Sequence, residues 1–185
     1  MRVEQLRKHF EIETKWTAFL LHPEASEDGI TFEELYAGRS AERQKNLLRF
    51  KKVADELGLP LGERKKTYNS RLAHELAKWA EVNGKGDLFH DAVFRAYFVD
   101  TKNISNVDEL VSLAKSAGLP ENEARSILES RTYKEAVDAD WSRSHQLGIT
   151  GVPTFVIGHQ VTVGFQPYEA LEQFLKSCGV VKRKD

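Results

Sequence analysis

The sequence predicts an α/β protein in which one long helical block interrupts a small sheet. Two observations predict it. Between residues 31 and 148, apolar side chains recur at intervals of three and four, the spacing of one helix face. On either side, residues 12–21 and 154–164 carry β-branched and aromatic residues in short alternating runs. The element order is therefore α–β–(all-α block)–β–β–α.

Each element has its own signal. Residues 1–9 read as a helix, with Val3, Leu6 and Phe10 near one face and no Gly or Pro. In residues 12–21, Ile12, Thr14, Trp16 and Ala18 alternate with their neighbours and run into Phe19-Leu20-Leu21, so a strand is expected, closed by His22-Pro23. The helical block then contains runs over 46–57, 69–83, 87–98, 107–117, 121–130 and 133–147. They are punctuated by Gly58, Pro60, Gly84, Asn106, Gly118 and Pro120 where caps and stops belong. Phe155-Val156-Ile157 and residues 160–164 flank Gly158-His159, the pattern of a β-hairpin. Gln166-Pro167 opens a last helix with the stripe Leu171, Phe174 and Leu175.

Composition narrows the function. The chain has 185 residues, 41% hydrophobic and 30% charged, enough to bury a core. Lys and Arg number 27 against 28 Asp and Glu, a net charge of −1, which offers no electrostatic footprint for nucleic acid or an anionic membrane. No apolar run approaches the roughly 20 residues that span a bilayer, and charges from Arg2 to Glu11 interrupt any signal-peptide stretch. One cysteine, Cys178, forms neither an internal disulfide nor a CxxC pair.

The remaining candidates read as structural. The six histidines make no recognised metal spacing, so no metal or other cofactor is expected; around His90, Asp87 and Asp91 read as charge on a solvated helix face. His22 reads as a loop anchor first and as a binding residue second. Trp16, Trp79, Trp141, Phe94, Tyr97 and Phe98 are expected to pack in the core. Arg64-Lys65-Lys66 is a short basic run that could touch a phosphate but reads first as a solvated loop, and Gly84-Lys85-Gly86 lacks the rest of a phosphate loop.

The run LGITGVPTFVIGHQVTVGFQPYEAL (147–171) resembles the C-terminal half of a thioredoxin fold as found in the DsbA-like family, and within it the FrnE-like, polyketide-synthesis-type branch of cytoplasmic relatives. WTAFLLHP (16–23) resembles that branch's second core strand. YNSRLAHELAKWA (68–80), FRAYFVDTKNI (94–104) and residues 133–147 resemble its helical insertion. The resemblance implies a thioredoxin-like core from residues 1–30 and 149–178, a helical insertion domain from 31–148, and a cytoplasmic location. It also implies a cis peptide at Val152–Pro153, in a loop where Val152, Pro153 and Thr154 bind an extended protein or peptide substrate.

The resemblance has one departure. Redox members carry a first strand and a CxxC motif at the start of the first helix, where the dipole lowers the thiol pKa and a second cysteine resolves the mixed disulfide. Here Met1-Arg2-Val3-Glu4-Gln5-Leu6 resembles the stretch just after that motif, and no catalytic residue is assigned. The sequence reading expects an N-terminally truncated core, a gene that continues upstream, and a sheet closed either by direct antiparallel pairing of 12–20 with 154–157 or by a homodimer. Three functions follow from the resemblance: a disulfide oxidoreductase lacking its cysteines and redox-inactive as it stands, a glutathione-dependent kappa-type transferase or hydroxychromene-carboxylate isomerase relative, and a non-catalytic peptide-binding scaffold. Whether the chain is an enzyme stays open among them.

Overall fold

The computed structural model describes residues 2–183, apart from the side chains of Ser40, Glu42 and Arg43. The chain divides into two compact units, Met1–Leu21 with Asp140–Asp185, and His22–Ala139.

The larger unit is helical. It contains β1 (Ile30–Thr31), α2 (Phe32–Leu35), α3 (Ser40–Glu56), β2 (Lys66–Thr67), α4 (Arg71–Val82), α5 (Gly86–Phe98), α6 (Val107–Ser116), α7 (Glu121–Ser130) and the start of α8 (Lys134–Gln146); α1 (Arg2–His9) belongs to the other unit. The apolar stripes of α4 to α7 meet in one cluster in which Leu76, Ala80, Phe89, Leu110, Ala114 and Ala124 are fully buried. Each large aliphatic chain withdrawn from water there contributes about 2 kcal/mol. Local chemistry sets the ends. Asn106 accepts the Glu109 N–H at 3.0 Å and starts α6. Thr31 and Glu34 form a reciprocal capping box on α2.

The chain leaves the smaller unit at residue 21 and returns at 140, rather than at the expected 30 and 149. The reason is hydrogen bonding. Ile30 and Thr31 pair antiparallel with Thr67 and Lys66. The Asn69 side chain donates to the Ala25 carbonyl at 3.0 Å, and Ser105 Oγ donates to the Glu27 carbonyl at 2.6 Å. Residues 22–31 therefore belong to the helical unit. At the other junction, Asp140 Oδ2 accepts the Ala18 N–H at 2.9 Å and ties the end of α8 to the smaller unit.

The smaller unit holds α1, the hairpin of β3 (Thr154–Ile157) and β4 (Gln160–Val163), and α9 (Tyr168–Ser177). Its core is Leu6, Phe10, Leu171 and Leu175, with Phe155 and Ile157 packed against it. The strand expected over 12–20 does not form. Among the described residues no ladder partner lies beside it, and it does not pair with residues 154–157; the sheets described are β1–β2 and β3–β4. Burial still alternates along it, with Ile12 and Thr14 half-buried between exposed neighbours and Ala18 and Leu20 buried. The segment is anchored at its start by the chain's end: Phe10 bridges Lys182, and the Glu11 N–H donates to the Val181 carbonyl at 2.9 Å.

Two packing expectations change as well. Of the six aromatic residues assigned to a core, only Trp79 is buried; Trp16 and Phe94 are exposed and the other three are half-buried. On α3, Ala54 is buried, but Leu47, Leu48 and Phe50 stay exposed.

Candidate functional site

The loop before β3 and the strand itself form the candidate site. Val152 and Pro153 are exposed, with Val152 at 49%, while Thr154 is half-buried. The Val152–Pro153 peptide is cis. Two hydrogen bonds hold the loop: Thr154 Oγ1 donates to the Gly151 carbonyl at 2.7 Å, and the Gly164 N–H donates to the Pro153 carbonyl at 2.7 Å. The three residues assigned from sequence thus lie together, at the entrance to β3.

The strand register fixes what this loop offers. Thr154 stands opposite Val163, Phe155 opposite Thr162, and Ile157 opposite Gln160. The Gly164-to-Pro153 bond brackets Thr154 and Val163, which makes them a non-hydrogen-bonded pair of the antiparallel ladder. Phe155 and Ile157 therefore turn their backbone groups toward β4. Thr154 and Val156 turn theirs to the opposite edge, and strand alternation carries that edge on toward Val152. Among the described residues, no backbone group on that edge at Val152, Thr154 or Val156 has a backbone partner. An unpaired edge of this kind is a template for an added strand. The sequence places Val156 in the hairpin but not among the binding residues; ladder parity, which adds it, requires the pairing to be known.

The two sides of the hairpin differ. Phe155 and Ile157 pack on the core with α1 and α9. The opposite side shows Val161 at 39% and Val163 at 53% exposure. The turn into α9 is braced by Arg2, whose guanidinium donates to the Gln166 carbonyl at 2.8 Å and lies 4.0 Å over the Phe165 ring. His9 Nδ1 meets the Tyr168 hydroxyl at 2.7 Å.

The other sequence candidates lie elsewhere. Cys178 is half-buried and forms the C-cap of α9. His22 pairs with Glu24 at 3.2 Å in the helical unit. Among the described residues, no group of three or more His, Cys, Asp and Glu is arranged to hold a metal, and no helix is long and apolar enough to cross a membrane.

A hairpin packed by one face on two helices, preceded by a Val-cis-Pro-Thr loop and joined to a helical unit, defines the class as thioredoxin-fold proteins of DsbA type. Residues 1–176 match the model of the DSBA-like thioredoxin domain family. The chain belongs to that family. It is 34% identical over 103 residues to the uncharacterized protein YwbO of Bacillus subtilis (strain 168), a match covering 55% of this chain and 52% of that protein. The match therefore spans about half the length of this relative. The crystal structure of a probable DsbA oxidoreductase from Streptomyces coelicolor superposes with a TM-score of 0.86 at 27% identity, over 96% of this chain and 82% of that one. A 2-hydroxychromene-2-carboxylate isomerase superposes with a TM-score of 0.73 at 16% identity, over 96% and 85%, and shares the fold.

Proposed function

We propose that this chain is the polypeptide-docking part of a DsbA-family thiol–disulfide exchange system, on the cytoplasmic branch resembled by its sequence. An extended segment of a protein substrate adds as a strand to the open edge at Val152, Thr154 and Val156. The observation that carries this reading is the ladder parity. It leaves the outward backbone donors and acceptors of β3 without a backbone partner among the described residues, next to an exposed loop pinned by Thr154 and Gly164. Main-chain pairing gives affinity without dictating sequence, which suits a protein that meets many substrates.

These 185 residues hold no pair of thiols, since Cys178 is the only cysteine. Exchange needs one thiolate to attack and a second thiol to release the mixed disulfide. The chain alone therefore binds polypeptide without turning over its disulfides, and a dithiol must come from elsewhere.

The test combines two assays on the same preparation. Insulin reduction by dithiothreitol should run no faster with the chain than without it. A fluorescent, cysteine-free extended peptide should bind. Val156→Pro removes an outward N–H while leaving the bonds of Phe155 and Ile157 to β4 in place. It should weaken peptide binding about tenfold, the value of one or two hydrogen bonds. Unchanged binding in Val156→Pro, or clear catalysis of insulin reduction, rejects the reading.

A further inference from the structure

Within Arg64-Lys65-Lys66, Lys65 is exposed as a solvated loop requires, but Arg64 is not. Arg64 is half-buried, with its guanidinium carbon 4.3 Å from the Tyr97 ring centre, 4.7 Å from that of Phe98 and 5.4 Å from that of Phe32. These rings cover the faces of the guanidinium. Its edges carry five N–H donors; the Tyr97 hydroxyl engages one side, and among the described residues no carboxylate or carbonyl accepts from the rest. Burial pulls the Arg64 pKa down, as expected for a cation without a carboxylate beside it.

A cavity of about 360 Å³ opens beside Arg64, and Lys65 and Lys66 line it too. Lys66 Nζ donates to the Asp28 carbonyl at 3.1 Å and keeps further donors. Among the described residues neither lysine lies within ion-pair distance of a carboxylate, although Glu34 acts on Lys66 from outside the lining; within the lining three cations accompany one acid, Glu63. The walls are fixed. The Gly62 N–H donates to the Phe98 carbonyl at 2.8 Å, and a Cβ on Gly62 would collide with the Val99 carbonyl oxygen and with Thr101 Cγ2. Thr101, also in the lining, is held at φ 56°, a backbone state that β-branched residues rarely adopt.

We propose that this cavity binds a phosphoryl group, either free phosphate or the phosphate of a small ester. The N–H donors of Arg64 not engaged by Tyr97 fork onto two of its oxygens and Lys65 and Lys66 supply charge. A guanidinium stacked on aromatic rings is already oriented, so little side-chain freedom is lost on binding.

The experiment is isothermal titration of the full chain with inorganic phosphate, and separately with phenyl phosphate, against chloride at matched ionic strength. Saturable binding of phosphate supports the proposal; comparable affinities identify the free ion as sufficient, and tighter phenyl phosphate identifies an ester. Arg64→Gln should weaken binding about tenfold or more, one charge-assisted contact. Because Arg64 also packs on three rings, the double variant Lys65→Gln, Lys66→Gln is run beside it, and it should lose a similar factor. A response to phosphate no different from chloride overturns the proposal, and so does unchanged affinity in the folded lysine variant.

Discussion

Arg131 grips the carboxylate of Glu75 with two parallel hydrogen bonds, Nε to Oε2 and a terminal nitrogen to Oε1, each 2.7 Å. Glu75 has no exposed side-chain surface. Arg71 adds a third bond at 2.6 Å from the preceding turn of α4 and extends to Asp138 at 2.7 Å. A buried carboxylate is tolerated here because two guanidiniums satisfy it. Arg131 sits at φ 53°, directly after α7, so the clamp ties the end of that helix to α4.

Arg131→Gly is the cleanest way to break the clamp, because glycine adopts the left-handed backbone without strain. It should lower the unfolding free energy by about 3 kcal/mol, the low end for breaking a buried pair, since Arg71 still holds the carboxylate. Urea unfolding followed by circular dichroism measures it. A change within experimental error would mean that the pair adds no net stability.

The same carboxylate gives a pH dependence. Burial acts to raise the Glu75 pKa, but the hydrogen bonds from Arg131 and Arg71 outweigh it and hold the group below the ordinary carboxylate range. A carboxylate with a lowered folded pKa contributes stability at pH values above its unfolded pKa. That contribution is lost as pH falls through the folded value. Acid should therefore weaken the helical unit below about pH 4.5. Glu75→Gln should start less stable and show a shallower loss over that acid range, as read from urea midpoints at several pH values.

Core truncations should separate the two units. Phe89→Ala removes a fully buried ring from the helical cluster, and Phe10→Ala does the same in the smaller unit. Each should cost about 3–5 kcal/mol. Limited proteolysis should cut first within the unit that carries the substitution; identical cleavage patterns would argue against two separate cores.

Gly62→Ala should also destabilise, by about 2 kcal/mol, as a case of forced overpacking. The added methyl meets the Val99 backbone rather than a side chain that can swing aside. Thermal melting of the variant measures this, and an unchanged melt would show that the loop can give way.

Much of the fold was legible because the signals were local. The α4 stripe Leu72, Ala73, Leu76, Ala77 and Ala80 and the stop at Gly84 place a helix from sequence alone, and Gly158-His159 splits a hairpin visibly. Residues 12–20 show the limit. Their alternation is real as burial, but a strand also needs a ladder partner, and Ala18 spends its N–H on the Asp140 side chain. The two-residue strands β1 and β2 are too short to leave a period. For the candidate site, the resemblance points to Val152, Pro153 and Thr154, which lie together before and at the start of β3. The open edge running on to Val156 depends on which residues face β4, which no single strand's sequence specifies. Arg64 was misread for a similar reason: its three aromatic neighbours lie more than thirty residues away on either side, at Phe32, Tyr97 and Phe98.

The docking edge is tested most directly by amide hydrogen exchange at Thr154 and Val156, measured with and without an extended cysteine-free peptide. Both amides should exchange quickly in the free chain, while those of Phe155 and Ile157 are protected by β4, and both should slow when peptide is added. Protection of Thr154 and Val156 before any peptide is present, or exchange that peptide leaves unaltered, would contradict the edge as the place where polypeptide docks.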